Sequence, residues 1–117
     1  MIQLRKIAVW VGAILLAVAF VAVGISKLEG ASAMRWSERF VGWGYPANTS
    51  YVVGVLEVIG GLGVLFPPWR RAASLSLGGI MIGALCTHLV HSEFPRVIPP
   101  LVLGALALLM YRLPRYL

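Results

Sequence analysis

The chain has 117 residues, 60% of them hydrophobic and only 12% charged, and a mean hydropathy of +0.89. A soluble domain carries about 25% charged residues, so an ordinary soluble globular domain is excluded. The net charge is +6, but no basic run is interleaved with aromatics, and nucleic-acid binding is left without support.

Runs of about 20 apolar residues mark membrane spans. The first, residues 7–26, follows Arg5 and Lys6 and precedes Ala31-Ser32-Ala33, which together imitate a secretory signal. The apolar run is about 19 residues long against a usual signal core of about 7–15. Lys27 and Glu29 also separate it from the Ala-x-Ala. A first membrane helix is expected instead.

Residues 27–50 form the one sizeable loop and carry Trp36, Arg39, Phe40, Trp43 and Tyr45. Residues 34–40 can make a short amphipathic helix at the membrane interface, where Trp and Tyr are common. The alternative role for this loop is a lid over a pocket between the helices. Gly42, Gly44 and Pro46 turn the chain back.

The second run, residues 51–66, is short and interrupted by Glu57. Phe66-Pro-Pro-Trp-Arg-Arg71 then stops one helix and starts the next. The third run, 72–90, holds no acid or base except His88, and the fourth, 97–113, opens with Pro99-Pro100. At 1.5 Å per residue the second and fourth runs reach only ~24–26 Å. They must thin the bilayer or extend past the apolar run.

The expected fold is all-α: an integral membrane four-helix bundle, one domain over residues 1–117. Gly60, Gly61 and Gly63 in the second helix, and Gly79-Ile-Met-Ile-Gly83 in the third, read as packing surfaces. They serve inside the bundle, in a homo-oligomer or against a partner in a membrane complex. The single Cys86 reads as a small buried hydrophobe, and the missing CxxC argues against thiol–disulfide chemistry.

Lys and Arg favour the cytoplasmic side. With four spans the termini share a side. It carries Arg5, Lys6, Arg70, Arg71, Arg112 and Arg115 and no acid. The other side mixes Lys27, Arg35, Arg39 and Arg96 with Glu29, Glu38 and Glu93. Both termini are therefore expected in the cytoplasm and loop 27–50 outside.

That orientation gives depths. Glu57 lies ~9 Å below the start of its helix, and His88 is ~24 Å along the third helix, near its outer end. His91 is about one turn above His88. Lys27, Glu57, His88 and His91 thus share the outer third, from three helices. A carboxylate at membrane depth is costly unless paired, protonated or facing a wet cavity. Each residue has a plain structural account: Lys27 snorkelling to headgroups, Glu57 paired with Lys27 or a tryptophan N–H, His88 hydrogen-bonded between helices, His91 solvated. Together they describe an acid–base or polar-ligand site in an apolar pocket. Glu57, His88 and Lys27 are the candidate catalytic groups. Trp36, Arg39, Phe40, Trp43, Tyr45, Met81 and His91 are the candidate substrate contacts. The cavity is expected between the first three helices, floored by the glycines of the second and third. His88 and His91 with Glu57 would give three metal ligands, but no Cys or second His cluster joins them. Metal and haem are not expected.

These residues resemble the DoxX-like membrane proteins. The resemblance runs from Gly24-Ile-Ser-Lys27-Leu28 through Phe40 and Gly44-Tyr-Pro46 to Val53-Gly54-Val-Leu-Glu57-Val-Ile-Gly60-Gly61 and Leu65-Phe-Pro67. It ends with Met81, Gly83-Ala84 and Thr87-His88. It implies a four-helix bacterial inner-membrane protein whose polar positions are Lys27, Glu57 and His88. Relatives implied by the resemblance include a subunit of a thiosulfate:quinone oxidoreductase, members of oxidative-stress complexes and chaperones for membrane receptors. No cofactor fingerprint chooses among them. Three functions compete. One is a site for a lipophilic small molecule, a quinone or a hydrophobic substrate of acid–base chemistry. The second is a non-catalytic accessory subunit of a membrane redox complex. The third, a small transporter, is weakest, because the charged layer does not reach the cytoplasmic side and no broken-helix repeat occurs.

Overall fold

The structure is a computed structural model and describes residues 2–113. It is all-helical, in chain order α1 (Ile2–Ser26), α2 (Gly30–Gly42), α3 (Thr49–Val64), α4 (Pro67–Val90), a 3-10 turn (Phe94–Val97) and α5 (Ile98–Arg112). Three segments, Gln3–Ser26, Pro67–Val90 and Phe94–Arg112, are long and apolar enough to cross a membrane, while Thr49–Val64 is apolar but shorter.

The helices begin and end where the local chemistry requires. α4 opens with Pro67 and Pro68 after an extended Phe66, and proline is tolerated in a first turn because its missing N–H has no partner there anyway. α2 stops in a Schellman motif. Gly44, at φ +97°, lets its own N–H reach Val41 O at 2.9 Å and that of Tyr45 reach Phe40 O at 3.0 Å. α4 stops the same way, with Ser92 at φ 58° in the left-handed position. There Glu93 N–H reaches His88 O at 2.8 Å.

α1 packs on α3, α3 on α4, α4 on α5, and α5 returns to α1; α2 lies across α3. Val9, Ala13, Leu16 and Phe20 recur every three or four residues along α1. They meet Val64, Leu77, Met81, Ala107 and Met110 in a dry core, the single-stripe geometry of a packed helix. The outward faces are apolar too: Ile7, Val18, Val52, Ile59, Ile82 and Leu101 are all exposed. At the α3–α4 turn the Arg70 guanidinium sits 4.6 Å from the Trp10 ring. Arg71 Nε donates to Tyr111 O at 3.2 Å. The turn therefore lies beside the start of α1 and the end of α5.

The closest helix crossing is reciprocal. A Cβ on Gly24 would lie 2.7 Å from Gly54 O, and one on Gly54 would lie 2.9 Å from Gly24 O. Only glycine lets these two backbones meet.

Several elements differ from the sequence expectation. The first helix starts near Ile2, because Arg5 and Lys6 do not interrupt helical geometry. The 27–50 loop contains a 13-residue helix rather than a short 34–40 segment. Arg70 and Arg71 belong to α4 and not to a turn. Gly60 and Gly61 pack tightly, against Leu77 and against Ala17 and Phe20, whereas Gly79 and Gly83 meet nothing in the described chain. Cys86 is exposed rather than buried, because it shares the outward face of Gly79 and Gly83. Arg115 lies outside the described residues.

These contacts separate two kinds of glycine. Gly54→Ala should lower stability by about 1–3 kcal/mol, since its Cβ strikes backbone that cannot swing away. Gly79→Ala should be neutral or slightly stabilising, by at most ~1 kcal/mol. Thermal unfolding midpoints in detergent micelles check the pair; equal behaviour of the two variants would contradict the Gly24–Gly54 crossing.

Candidate functional site

α1 and α3 run antiparallel through the Gly24–Gly54 crossing, so Lys27 sits opposite Gly54, its Cβ 2.9 Å from where a Cβ on Gly54 would lie. Glu57 is about one turn further along α3, within reach of the long lysine side chain. Lys27 Nζ donates to Glu57 Oε1 at 2.7 Å, with Lys27 5% and Glu57 0% exposed. The ammonium also sits 4.3 Å from the centroid of the Trp36 ring, an attraction worth up to ~2 kcal/mol when desolvated. Trp36 is held in turn by its Nε1–H, which donates to Ser26 Oγ at 3.1 Å. Glu57 Oε2 is buried and has no partner among the described residues.

The pair lines a cavity of about 660 Å³, a size suited to a small organic ligand. Its walls are mostly apolar. Val23 comes from α1, Val53 from α3, Ile80, Met81 and Ala84 from α4, and Leu103 from α5. Pro99 and Pro100 close the α5 side. The cavity thus involves all five helices, and of the glycines only Gly83 lines it. Gly54, Gly60 and Gly61 do not line it, because they are used for close approach.

An aromatic roof covers it. Phe40 lies at the centre, 5.2 Å from Trp43, 5.7 Å from Tyr45 and 6.2 Å from Trp36. Two latches tie this roof to α4, one from each Schellman ending. Tyr45 OH meets Thr87 Oγ1 at 2.7 Å, and Thr87 Oγ1 lies 2.9 Å from Gly83 O. With Thr87 donating to that carbonyl, Tyr45 donates to Thr87. The second latch is Glu93, which accepts from Trp43 Nε1 at 3.3 Å and His88 Nδ1 at 2.9 Å. A carboxylate only accepts, so in the neutral imidazole the proton is on Nδ1 and Nε2 is the acceptor. Trp43 stands edge-on to His88, with centroids 5.3 Å apart. The hydrogen bond from His88, followed by that from Trp43 and the charge of Arg96, holds the Glu93 carboxyl below its ordinary value. Arg39 and Arg96 both reach the cavity. Burial, and then the like charge of Arg96, lowers the Arg39 guanidinium.

Of the residues singled out from sequence, Lys27, Trp36, Arg39, Phe40, Trp43, Tyr45, Glu57, Met81 and His88 line this one cavity. His91 does not. It caps the end of α4, its Nδ1–H donating to Thr87 O at 2.8 Å. His88 shares the cavity with Glu57, but its acidic partner is Glu93. Glu93, Thr87 and Arg96 were not singled out. The signal for Glu93 was an acid five residues after His88, beyond a residue able to turn left-handed. The signal for Thr87 was its place one turn beyond Gly83. Among the described residues no group of three potential metal ligands comes together.

A carboxyl with a depressed folded pKa contributes stability that is complete above its ordinary 4.5 and lost as pH falls through the lower folded value. The Trp43–Glu93 latch should therefore survive acidification to 4.5 and open below it. Trp43 emission should change in that acidic window in the wild type and show no such transition in Glu93→Gln. A wild-type midpoint above the ordinary glutamate value would contradict the latch.

The DoxX-like family model matches residues 11–110. Comparison with curated proteins and with solved structures returned no significant match. The match covers every residue of the Lys27–Glu57 pair, the aromatic roof and the His88–Glu93 latch. With three helices long and apolar enough to cross a bilayer, the chain is a membrane protein, and it belongs to the DoxX-like family.

Proposed function

We propose that the protein is a multi-pass, four-helix bundle of the bacterial inner membrane whose cavity holds the head of an amphiphilic small molecule, with quinones as the leading class. The observation that carries this reading is the apolar-walled cavity with a buried, half-satisfied carboxylate in its wall. An apolar pocket with a few convergent polar groups is the usual form of a small-molecule site.

α1, α3, α4 and α5 would each cross the membrane. α3, with 16 residues, reaches ~24 Å and would thin the bilayer locally. Arg5, Lys6, Arg70, Arg71 and Arg112 gather around one end without an acid, which supports a cytoplasmic position for that end and both termini. The cavity and α2 then lie at the outer face. A ligand would arrive from the outer leaflet under Trp36 and Trp43. Its tail would lie along Ile80, Met81 and Leu103. Its head would meet Glu57 and the Lys27 ammonium, with Arg39 and Tyr45 at the rim. If the ligand reacts, Glu57 is the group placed to take or give a proton, and the His88–Glu93 pair is the route to solvent.

A second reading, a non-catalytic subunit of a membrane redox complex, has one observation in its favour. Gly79 and Cys86, with Gly83 at the cavity edge, form an exposed small-residue strip of α4, and among the described residues nothing meets a Cβ at either glycine; helices associate in lipid on such surfaces.

Titration with a short-tailed quinone and with an alkane of matching length, read by Trp36 and Trp43 fluorescence, separates the two. The amphiphile reading expects saturation with the quinone alone. It also expects affinity weakened at least about tenfold in Ala84→Phe, which fills the cavity, and in His88→Ala. No saturable change with any amphiphile, and wild-type behaviour of Ala84→Phe and His88→Ala, would leave the accessory reading.

A further inference from the structure

Four buried polar side-chain atoms lack a partner among the described residues: Ser50 Oγ, Glu57 Oε2, Arg70 Nη2 and Ser74 Oγ. Only Glu57 belongs to the cavity wall. Its free oxygen is an acceptor and nothing else while the group is ionised, and a buried acceptor left unpaired is costly.

No donor lining the cavity is hydrogen-bonded to Oε2 among the described residues. Lys27 Nζ donates to Oε1 and faces the Trp36 ring. Tyr45 and Thr87 form a closed relay that ends on Gly83 O. His88 Nδ1–H is committed to Glu93. The remaining cations, Arg39 and Arg96, are at the rim, Arg39 4.8 Å from the Trp36 ring and Arg96 4.0 Å from Glu93. The site is therefore one hydrogen short at its polar end. Around that end Trp36, Phe40, Trp43 and Tyr45 offer ring faces and edges, a surface that suits a flat aromatic head.

We infer that the cavity selects an aromatic head bearing a free hydroxyl, a phenol or the reduced quinol form of a quinone, over the etherified or carbonyl-only counterpart, with that hydroxyl donating to Glu57 Oε2. This rests on the reading of the cavity as an amphiphile site and adds a direction to it: the hydroxyl form is the tight-binding one. A carbonyl brings a second acceptor and no hydrogen for the carboxylate oxygen, so the quinone binds the same site more weakly than its quinol. A methyl ether brings bulk and no hydrogen. Exchanging Glu57 for Gln reverses the logic without changing shape. The Lys27 ammonium holds the amide oxygen, so the amide N–H₂ takes the place of Oε2 and presents a donor.

The test compares three probes on the purified protein: para-pentylphenol, para-pentylanisole and a short-tailed para-benzoquinone. Dissociation constants are read from tryptophan fluorescence. The wild type should bind the phenol at least about tenfold tighter than the anisole, the expected gain for one hydrogen bond to a charged acceptor. Glu57→Gln should lose that preference and bind the quinone tighter than the wild type does. Equal wild-type affinity for phenol and anisole overturns the inference while leaving the amphiphile site standing, and so does a preference that Glu57→Gln leaves intact. Failure of all three probes to bind removes the site itself. Should Glu57→Gln not fold, the wild-type infrared difference spectrum decides. The phenol should shift a carboxylate stretch and the anisole should not; the same spectrum for both overturns the inference.

Discussion

The structure turns on a buried ion pair. Removing a lysine and a glutamate from water costs several kcal/mol per charge, and their attraction offsets this only when the geometry is close and further hydrogen bonds help. Here the contact is 2.7 Å, and the Trp36 ring covers the ammonium. What makes it possible is the absence of two side chains. Gly24 and Gly54 bring α1 and α3 into backbone contact one turn away, which sets how far Lys27 must reach. The pair in turn fixes the register of the two helices, since a slip by one residue would separate the charges. It also leaves one oxygen of Glu57 without a partner among the described residues.

The molecule is accordingly divided along its length. One half is a dry, close-packed core built from α1, the end of α3, α4 and α5, with Leu16, Phe20 and Leu77 fully enclosed. The other half spends its packing on a roof. The two helix endings at Gly44 and Ser92 send Tyr45 and Glu93 back across the cavity. The roof therefore rests on α4 through side-chain hydrogen bonds and not through a continuous apolar seam. Such a contact opens at lower cost than a packed core. A rigid floor with a latched roof is the arrangement that the proposed entry of a ligand from lipid would require.

The helices and the polar layer were legible in the sequence for physical reasons. Apolar runs of span length can hardly be anything else, and an acid inside one of them has few affordable environments, so Glu57 pointed to Lys27 from depth alone. The family resemblance agreed with the matched range. What the sequence hid was directional. Whether Gly54 makes room or makes contact depends on what faces it across the interface, and Gly24 faces it; in the same way sequence left open whether Gly79 and Gly83 pack inside the bundle or between protomers, and among the described residues nothing meets a Cβ at either. His91 looked like a partner of His88 by helical spacing, but it falls at the helix end and turns to cap Thr87 O. Glu93 was hidden because its approach to His88 depends on a left-handed serine, a conformation that serine seldom adopts.

A double-mutant cycle on Lys27 and Glu57, measured by reversible unfolding in mixed micelles, tests the central claim most directly. Lys27→Met or Glu57→Gln alone leaves a buried charge without its partner and should cost about 3–5 kcal/mol. The double variant, with neither charge, should cost far less than the sum of the two, giving a coupling of at least ~2 kcal/mol. Simple additivity of the two single effects would contradict the account.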